Sequence, residues 1–133
     1  MEDYLEMIYR NNLESGLLRS NMLSKLLNVH PSSVTKMLQK LNASGYVDYQ
    51  KYGLIFLTQK GRRMGKFLYH RHNIIQKFLN FLGDGENPLS ETELIEHHIR
   101  PDTLENIELF MDFIEKNPDV AERFQAYKNN YNK

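Results

Sequence analysis

Asn28-Val29-His30-Pro31-Ser32-Ser33-Val34-Thr35-Lys36-Met37-Leu38-Gln39-Lys40-Leu41, residues 28–41, decides how the first half of this chain folds. Asn28 to His30 turns the chain, and Pro31 suits the first position of a helix, where its missing N–H has no intrahelical partner to lose. Val34, Met37, Leu38 and Leu41 then recur at helical spacing as an inward face, with Lys36, Gln39 and Lys40 on the outer side. Gly45 stops this helix at about Ser44. Upstream, residues 2–14 read as a helix with Tyr4, Leu5, Ile8 and Tyr9 on one face, and Ser20-Asn21 caps a short helix from Met22 to Leu27. Downstream, Tyr46 to Tyr49 alternates, Lys51-Tyr52-Gly53 turns, and Leu54 to Leu57 returns as a second strand. Three helices followed by a β-hairpin are the layout of a winged helix-turn-helix domain.

Beyond the hairpin the pattern is helical throughout. Thr58 caps a long helix to about Leu82, turn residues fill 83–88, and Ser90 opens a fifth helix. Pro101 marks the break before a sixth helix, about 103–116, and Asn117-Pro118 opens a seventh, about 119–130. The expected fold is mainly α: a winged helix-turn-helix domain over residues 1–66 and an all-α domain over residues 67–133, joined by the long helix.

The chain has 133 residues, of which 41% are hydrophobic, enough to fold around a core. It contains no Cys, which excludes disulfides, thiolate zinc sites and cysteine nucleophiles. No apolar run reaches transmembrane length and no secretory signal pattern occurs, so the expected location is the cytoplasm with no membrane partner. The net charge of zero hides a division. Residues 1–71 carry 11 Lys/Arg against 5 Asp/Glu, and residues 72–133 carry 6 against 12. A basic first half and an acidic second half suggest that only the first faces a polyanion; chance clustering on solvated faces is the plain alternative.

In a helix-turn-helix the second helix enters the major groove and its N-terminal residues meet base edges. Here those residues are Ser32, Ser33 and Thr35, short hydrogen-bonding side chains suited to base edges or phosphates. Lys36, Gln39 and Lys40 lie on the outer side for phosphate or base contact. Lys51 on the wing adds backbone neutralisation, as do Lys60, Arg62, Arg63 and Lys66. Simple helix capping is the rival explanation of Ser32 and Ser33.

The stretch Ser90-Glu91-Thr92-Glu93-Leu94-Ile95-Glu96-His97-His98 carries a different chemistry. Read as a helix, it projects Glu93, Glu96 and His97 from one side, half of a site for a divalent cation that prefers oxygen and nitrogen. Asp3 and Glu6 share a face of the first helix, and His72 sits in the long helix. Together these are four carboxylates and two imidazoles, able to hold two divalent cations near charge balance. The absence of sulfur favours a harder ion such as Mn²⁺. Each residue has a duller explanation. Acids in a first turn favour the helix dipole, Glu93 completes a capping box with Ser90, and His72 and His97 can be ordinary half-buried histidines.

Three stretches, in this order, give a resemblance over nearly the whole length: Glu2-Asp3-Tyr4-Leu5-Glu6, Val29 to Met37, and Ile95-Glu96-His97-His98, with Tyr69-His70-Arg71-His72 adding the lone helix histidine. The chain resembles the manganese transport regulators of the diphtheria toxin repressor family. The resemblance implies a homodimeric, metal-activated transcription factor that represses manganese uptake genes from a palindromic double-stranded operator. It implies a two-ion site in which Asp3 and His72 serve one ion, Glu6 and His97 the other, and Glu93 and Glu96 are shared. Iron-responsive members tend to carry sulfur or another residue at the equivalents of Asp3 or Glu96; carboxylates at both imply manganese, with other divalent cations also able to bind. It also implies a short member, ending at Lys133 without the SH3-like domain of longer ones.

The mechanism expected is that metal joins the first helix to the fourth and fifth, setting the spacing of the two reading helices. Rivals are an iron-responsive regulator, a metal-independent winged-helix regulator, and a di-metal enzyme. Against the enzyme stand the absence of His-Glu-x-x-His and of a substrate loop, so no small-molecule substrate is expected. For the dimer surface, Leu94, Ile95 and the face Leu104, Ile107, Phe110, Met111, Ile114 are candidates that can equally be core.

Overall fold

The computed structural model describes residues 1–83 and 89–131. They form two compact units, Met1–His70 and Arg71–Lys133. The first contains α1 (Glu2–Glu14), β1 (Leu18–Arg19), α2 (Ser20–Leu27), α3 (Pro31–Ala43), β2 (Val47–Tyr49), a one-turn segment Lys51–Gly53, and β3 (Leu54–Leu57). The long helix α4 (Gln59–Leu82) begins in the first unit and runs into the second.

Local chemistry explains these boundaries. At the end of α2, Asn28 takes the left-handed conformation (φ 54°), which Asn tolerates better than most residues. Pro31 opens α3, and the N-cap is His30, whose Nδ1 accepts from the Ser32 N–H at 3.1 Å. At the other end, the Gly45 N–H donates to Asn42 O and the Tyr46 N–H to Leu41 O, with Gly45 at φ 81°. That is the Schellman arrangement, and it satisfies carbonyls the helix leaves unpaired. Thr58 starts α4 as expected: its Oγ1 accepts from the Gly61 N–H at 3.0 Å and donates to Gly45 O at 2.6 Å.

The sheet has three strands in the order β1-β3-β2, all antiparallel, with Leu18 opposite Ile55, and Val47 opposite Leu57. The sequence reading gave two of them. β1 is only two residues long and carries no periodic signal. The core of this unit joins Leu5 and Ile8 of α1, Leu23 of α2, Val34, Leu38 and Leu41 of α3, Ile55 and Leu57 of β3, and Leu68 of α4. Leu23, Val34, Leu38 and Leu41 are fully buried; burying each such side chain contributes about 1.5–3 kcal/mol.

The second unit comprises the remainder of α4 with α5 (Leu89–Glu96), α6 (Pro101–Lys116) and α7 (Pro118–Tyr131). α6 and α7 each begin on their proline, one to two residues earlier than expected, because a proline at the first helical position costs no hydrogen bond. Ile74, Ile75 and Leu104 form the core, with Leu79, Ile95, Ile99 and Ile107 packed on it. A second layer is aromatic: Phe81 stacks on Phe124 at 5.1 Å, and Phe110 meets the edges of Phe78 and Phe81. Gln125 Nε2 donates to Phe81 O at 2.9 Å and Lys128 Nζ to Leu82 O, so α7 caps carbonyls at the end of α4. Of the apolar residues open to either reading, Leu104, Met111 and Ile114 are buried core, whereas Leu94 is 71% exposed. Leu109 and Phe113 on α6 are exposed as well. Among the described residues, no helix is long and apolar enough to cross a membrane.

Candidate metal centre and nucleic-acid interface

α3 presents the expected polar set. Ser32, Ser33, Lys36, Gln39 and Lys40 are exposed and Thr35 is half-buried. Two of the short side chains are already engaged locally. Ser32 Oγ is 2.7 Å from His30 Nδ1, and Thr35 Oγ1 donates to Pro31 O at 3.1 Å. Helix capping thus explains part of Ser32, with His30 as the acceptor that the sequence reading had placed in the turn. The Ser33 side chain stays exposed.

Lys51 is exposed on the wing. Its neighbour Tyr52 was not singled out from sequence, yet its side chain is 87% exposed and its backbone is left-handed (φ 63°, ψ 19°). Arg19 Nη1 donates to its carbonyl at 3.4 Å, and a Cβ on the following Gly53 would meet Ser20 Oγ at 2.7 Å. A non-glycine left-handed residue stores roughly 1–2 kcal/mol. Because the ring contributes little burial, Tyr52→Asn is expected to raise stability by roughly 0.5–1 kcal/mol in urea unfolding. A loss of stability would show that the ring packs after all.

In the second unit, α4 and α5 bring a buried acid–imidazole pair together. His72 and Glu96 are 4% and 2% exposed, and Nδ1 of His72 lies 2.8 Å from Glu96 Oε2. Glu96 Oε1 is 3.8 Å from His97 Nε2. One carboxylate therefore faces two imidazoles, one on each oxygen. A buried carboxylate needs compensating positive charge, and a neutral imidazole supplies only a dipole. Glu93 lies one turn earlier on α5 and is exposed. The Ser90 side chain lies outside the described residues, and with it the capping box expected with Glu93.

One detail differs from expectation. α5 ends at Glu96, and His97 stands in the turn that follows, where the His98 N–H donates to Ile95 O at 2.9 Å. A proline pushes the residue before it out of the helical region, and Arg100 indeed sits at φ −79°, ψ 152° as the N-cap of α6. His97 thus shares a side with Glu96 through a turn rather than through helical spacing. In the first unit, Asp3 is exposed and Glu6 half-buried one turn later on α1. Glu6 Oε2 pairs with Arg10 Nη2 at 2.7 Å. His70 and His98 are both exposed.

The donors are carboxylate oxygen and imidazole nitrogen with no thiolate, which suits a hard to borderline divalent cation. The set fits such an ion. The chain also carries its two chemistries in separate stretches, a polar reading helix with a basic wing and a buried acid–imidazole cluster.

Comparison with known proteins follows the same division. Residues 1–54 match the family described as "Iron dependent repressor, N-terminal DNA binding domain", and residues 58–125 match "Iron dependent repressor, metal binding and dimerisation domain". The HTH-type transcriptional regulator MntR of Lysinibacillus sphaericus (strain C3-41) is 39% identical over 133 residues, covering 99% of this chain and 96% of the relative. The protein of that name from Bacillus subtilis (strain 168) is 41% identical over 117 residues, 87% of this chain and 82% of the relative. Among solved structures, the metal-dependent transcriptional regulator MtsR matches with a TM-score of 0.75 at 26% identity, over 84% of this chain and 53% of that one. The manganese regulator SloR matches with a TM-score of 0.72 at 25% identity, over 84% and 53%. The chain spans about half the length of these solved structures. With both halves matched in order, the chain belongs to the iron-dependent repressor family of metal-dependent, DNA-binding transcriptional regulators, and it is not an enzyme.

Proposed function

We propose that this protein is a manganese-activated repressor of manganese uptake genes, acting as a cytoplasmic homodimer on a palindromic operator. The observation that carries the metal half is the buried Glu96 carboxylate between His72 and His97. The names of the relatives, MntR and a manganese regulator, support the choice of ion. Residues 1–66 form the DNA-binding domain, and residues 67–133 the metal-binding and dimerisation domain. Asp3, Glu6, His72, Glu93, Glu96 and His97 hold the metal, two Mn²⁺ per subunit.

A bound divalent cation supplies positive charge and coordination to carboxylates that otherwise repel one another. Asp3 and Glu6 belong to the first helix, and the other four ligands to α4, α5 and the turn after it. Their joint coordination couples the metal to the presentation of α3, so that the two reading helices of a dimer meet successive major grooves. Ser32, Ser33 and Thr35 face base edges, and Lys36, Gln39, Lys40 and Lys51 contact phosphates or bases.

The test is operator binding with and without Mn²⁺ during a metal titration; equal affinity in both would sink this reading. Among the DNA contacts, Lys36→Ala is expected to weaken binding about equally across operator sequences and to lower the salt slope by about one. A change of base preference with an unchanged slope would place Lys36 on a base instead. The family description favours one second reading, an iron-responsive regulator. The same titration with Fe²⁺ distinguishes it.

A further inference from the structure

Within the first unit, Arg10 is held in an unusual setting. Its Nη2 lies 2.7 Å from Glu6 Oε2, one turn back on α1. Its guanidinium carbon stands 5.3 Å from the centre of the Tyr69 ring, which packs at 5.9 Å on Tyr9. The Arg10 Nε is buried and makes no hydrogen bond among the described residues. Helices α1 and α4 approach closely here, since a Cβ on Gly65 would come within 2.6 Å of Tyr9 Cβ. Arg10 therefore has a fixed seat, and its positive charge rests on a carboxylate assigned above to the metal.

We infer that Arg10 is an affinity-setting residue of the metal site, an internal cation that competes with the divalent ion for Glu6. This rests on Glu6 being a ligand. The opposite role, in which Arg10 orients Glu6 for the metal through one oxygen, is decided by magnitude. An intrahelical i, i+4 ion pair of this type, here partly buried (side chains 30% and 13% exposed), shifts an equilibrium by less than about fivefold. A unit charge a few ångström from a doubly charged ion shifts it by on the order of tenfold even in a water-like dielectric. Repulsion wins, so the metal must displace Arg10 or bind against it. The guanidinium already lies over the Tyr69 ring, a contact it can keep when Glu6 is released, which keeps displacement from being prohibitive.

Calorimetry with MnCl₂ on the full chain tests this. Arg10→Met keeps an apolar stem over Tyr69 and removes the charge; it is expected to bind Mn²⁺ about tenfold more tightly than the parent at low salt, with the gap narrowing at high salt. Arg10→Lys keeps the charge and should bind no more tightly than the parent. In a Glu6→Gln background, Arg10→Met should lose most of its effect. Should Met disturb packing, seen as a lower melting temperature, Arg10→Gln provides the second neutral variant. Equal or weaker Mn²⁺ binding by both neutral variants overturns the inference. If instead Glu6→Gln leaves parental Mn²⁺ binding unchanged, or the parent binds no Mn²⁺, the assignment of Glu6 to the metal fails first, and the inference with it.

Discussion

Glu96→Gln is expected to erase the gain in operator affinity that Mn²⁺ gives the parent chain. Coupling between two binding sites in one protein is typically 1–3 kcal/mol, so the parental gain should be roughly 5- to 150-fold and that of the variant near one. The choice of Gln matters. Glu96 is buried and accepts from His72 at 2.8 Å. Ala would leave His72 without its partner at a cost of about 1–3 kcal/mol, mixing a folding defect into the result. The Gln side chain keeps an acceptor for His72 but removes the charge that an ion requires. A thermal readout separates the effects. Saturating Mn²⁺ at one hundred times its dissociation constant adds about 2.7 kcal/mol to the parent, and little to the variant. A variant that still gains parental operator affinity on adding Mn²⁺ would remove Glu96 from the site.

Gly61→Ala should produce the largest loss of stability, more than about 3 kcal/mol in urea or thermal unfolding. A Cβ at Gly61 would stand 1.9 Å from Tyr46 O and 2.9 Å from its carbonyl carbon. Both atoms are backbone, so no rotamer change relieves the collision. The same carbonyl accepts the Thr58 N–H at 3.1 Å, and moving it disturbs the joint between β2, β3 and the start of α4. Retained parental stability would show that α4 can shift along its axis at small cost.

How far these features could be read from sequence depends on whether their cause is local. Pro31, Gly45 and Thr58 acted as helix start, stop and cap, because each works through its own backbone or an atom three residues away. The inward face of α3 was equally legible from spacing. β1 was not, since two residues gain their pairing only from β3, more than thirty positions on. The His30 cap was missed because Ser and Thr are the usual acceptors there, and the left-handed Tyr52 because Gly or Asn normally fills such a position. His97 shows the mixed case. Its nearness to Glu96 was anticipated, but the helix that was to provide it ends one residue before it, at Glu96. The Glu6–Arg10 pair had a visible signal, the i, i+4 spacing of opposite charges.

The Thr58 hydroxyl joins two helix ends at once, accepting from the first turn of α4 and donating to the residue that closes α3. Amide protons on both sides of that joint should therefore become exposed to solvent exchange together, in one opening event, rather than fraying separately. In mechanical terms the reading helix is geared to the long one: a tilt of α3 about its C-terminal end is felt as a torque on the first turn of α4, with Thr58 as the pin.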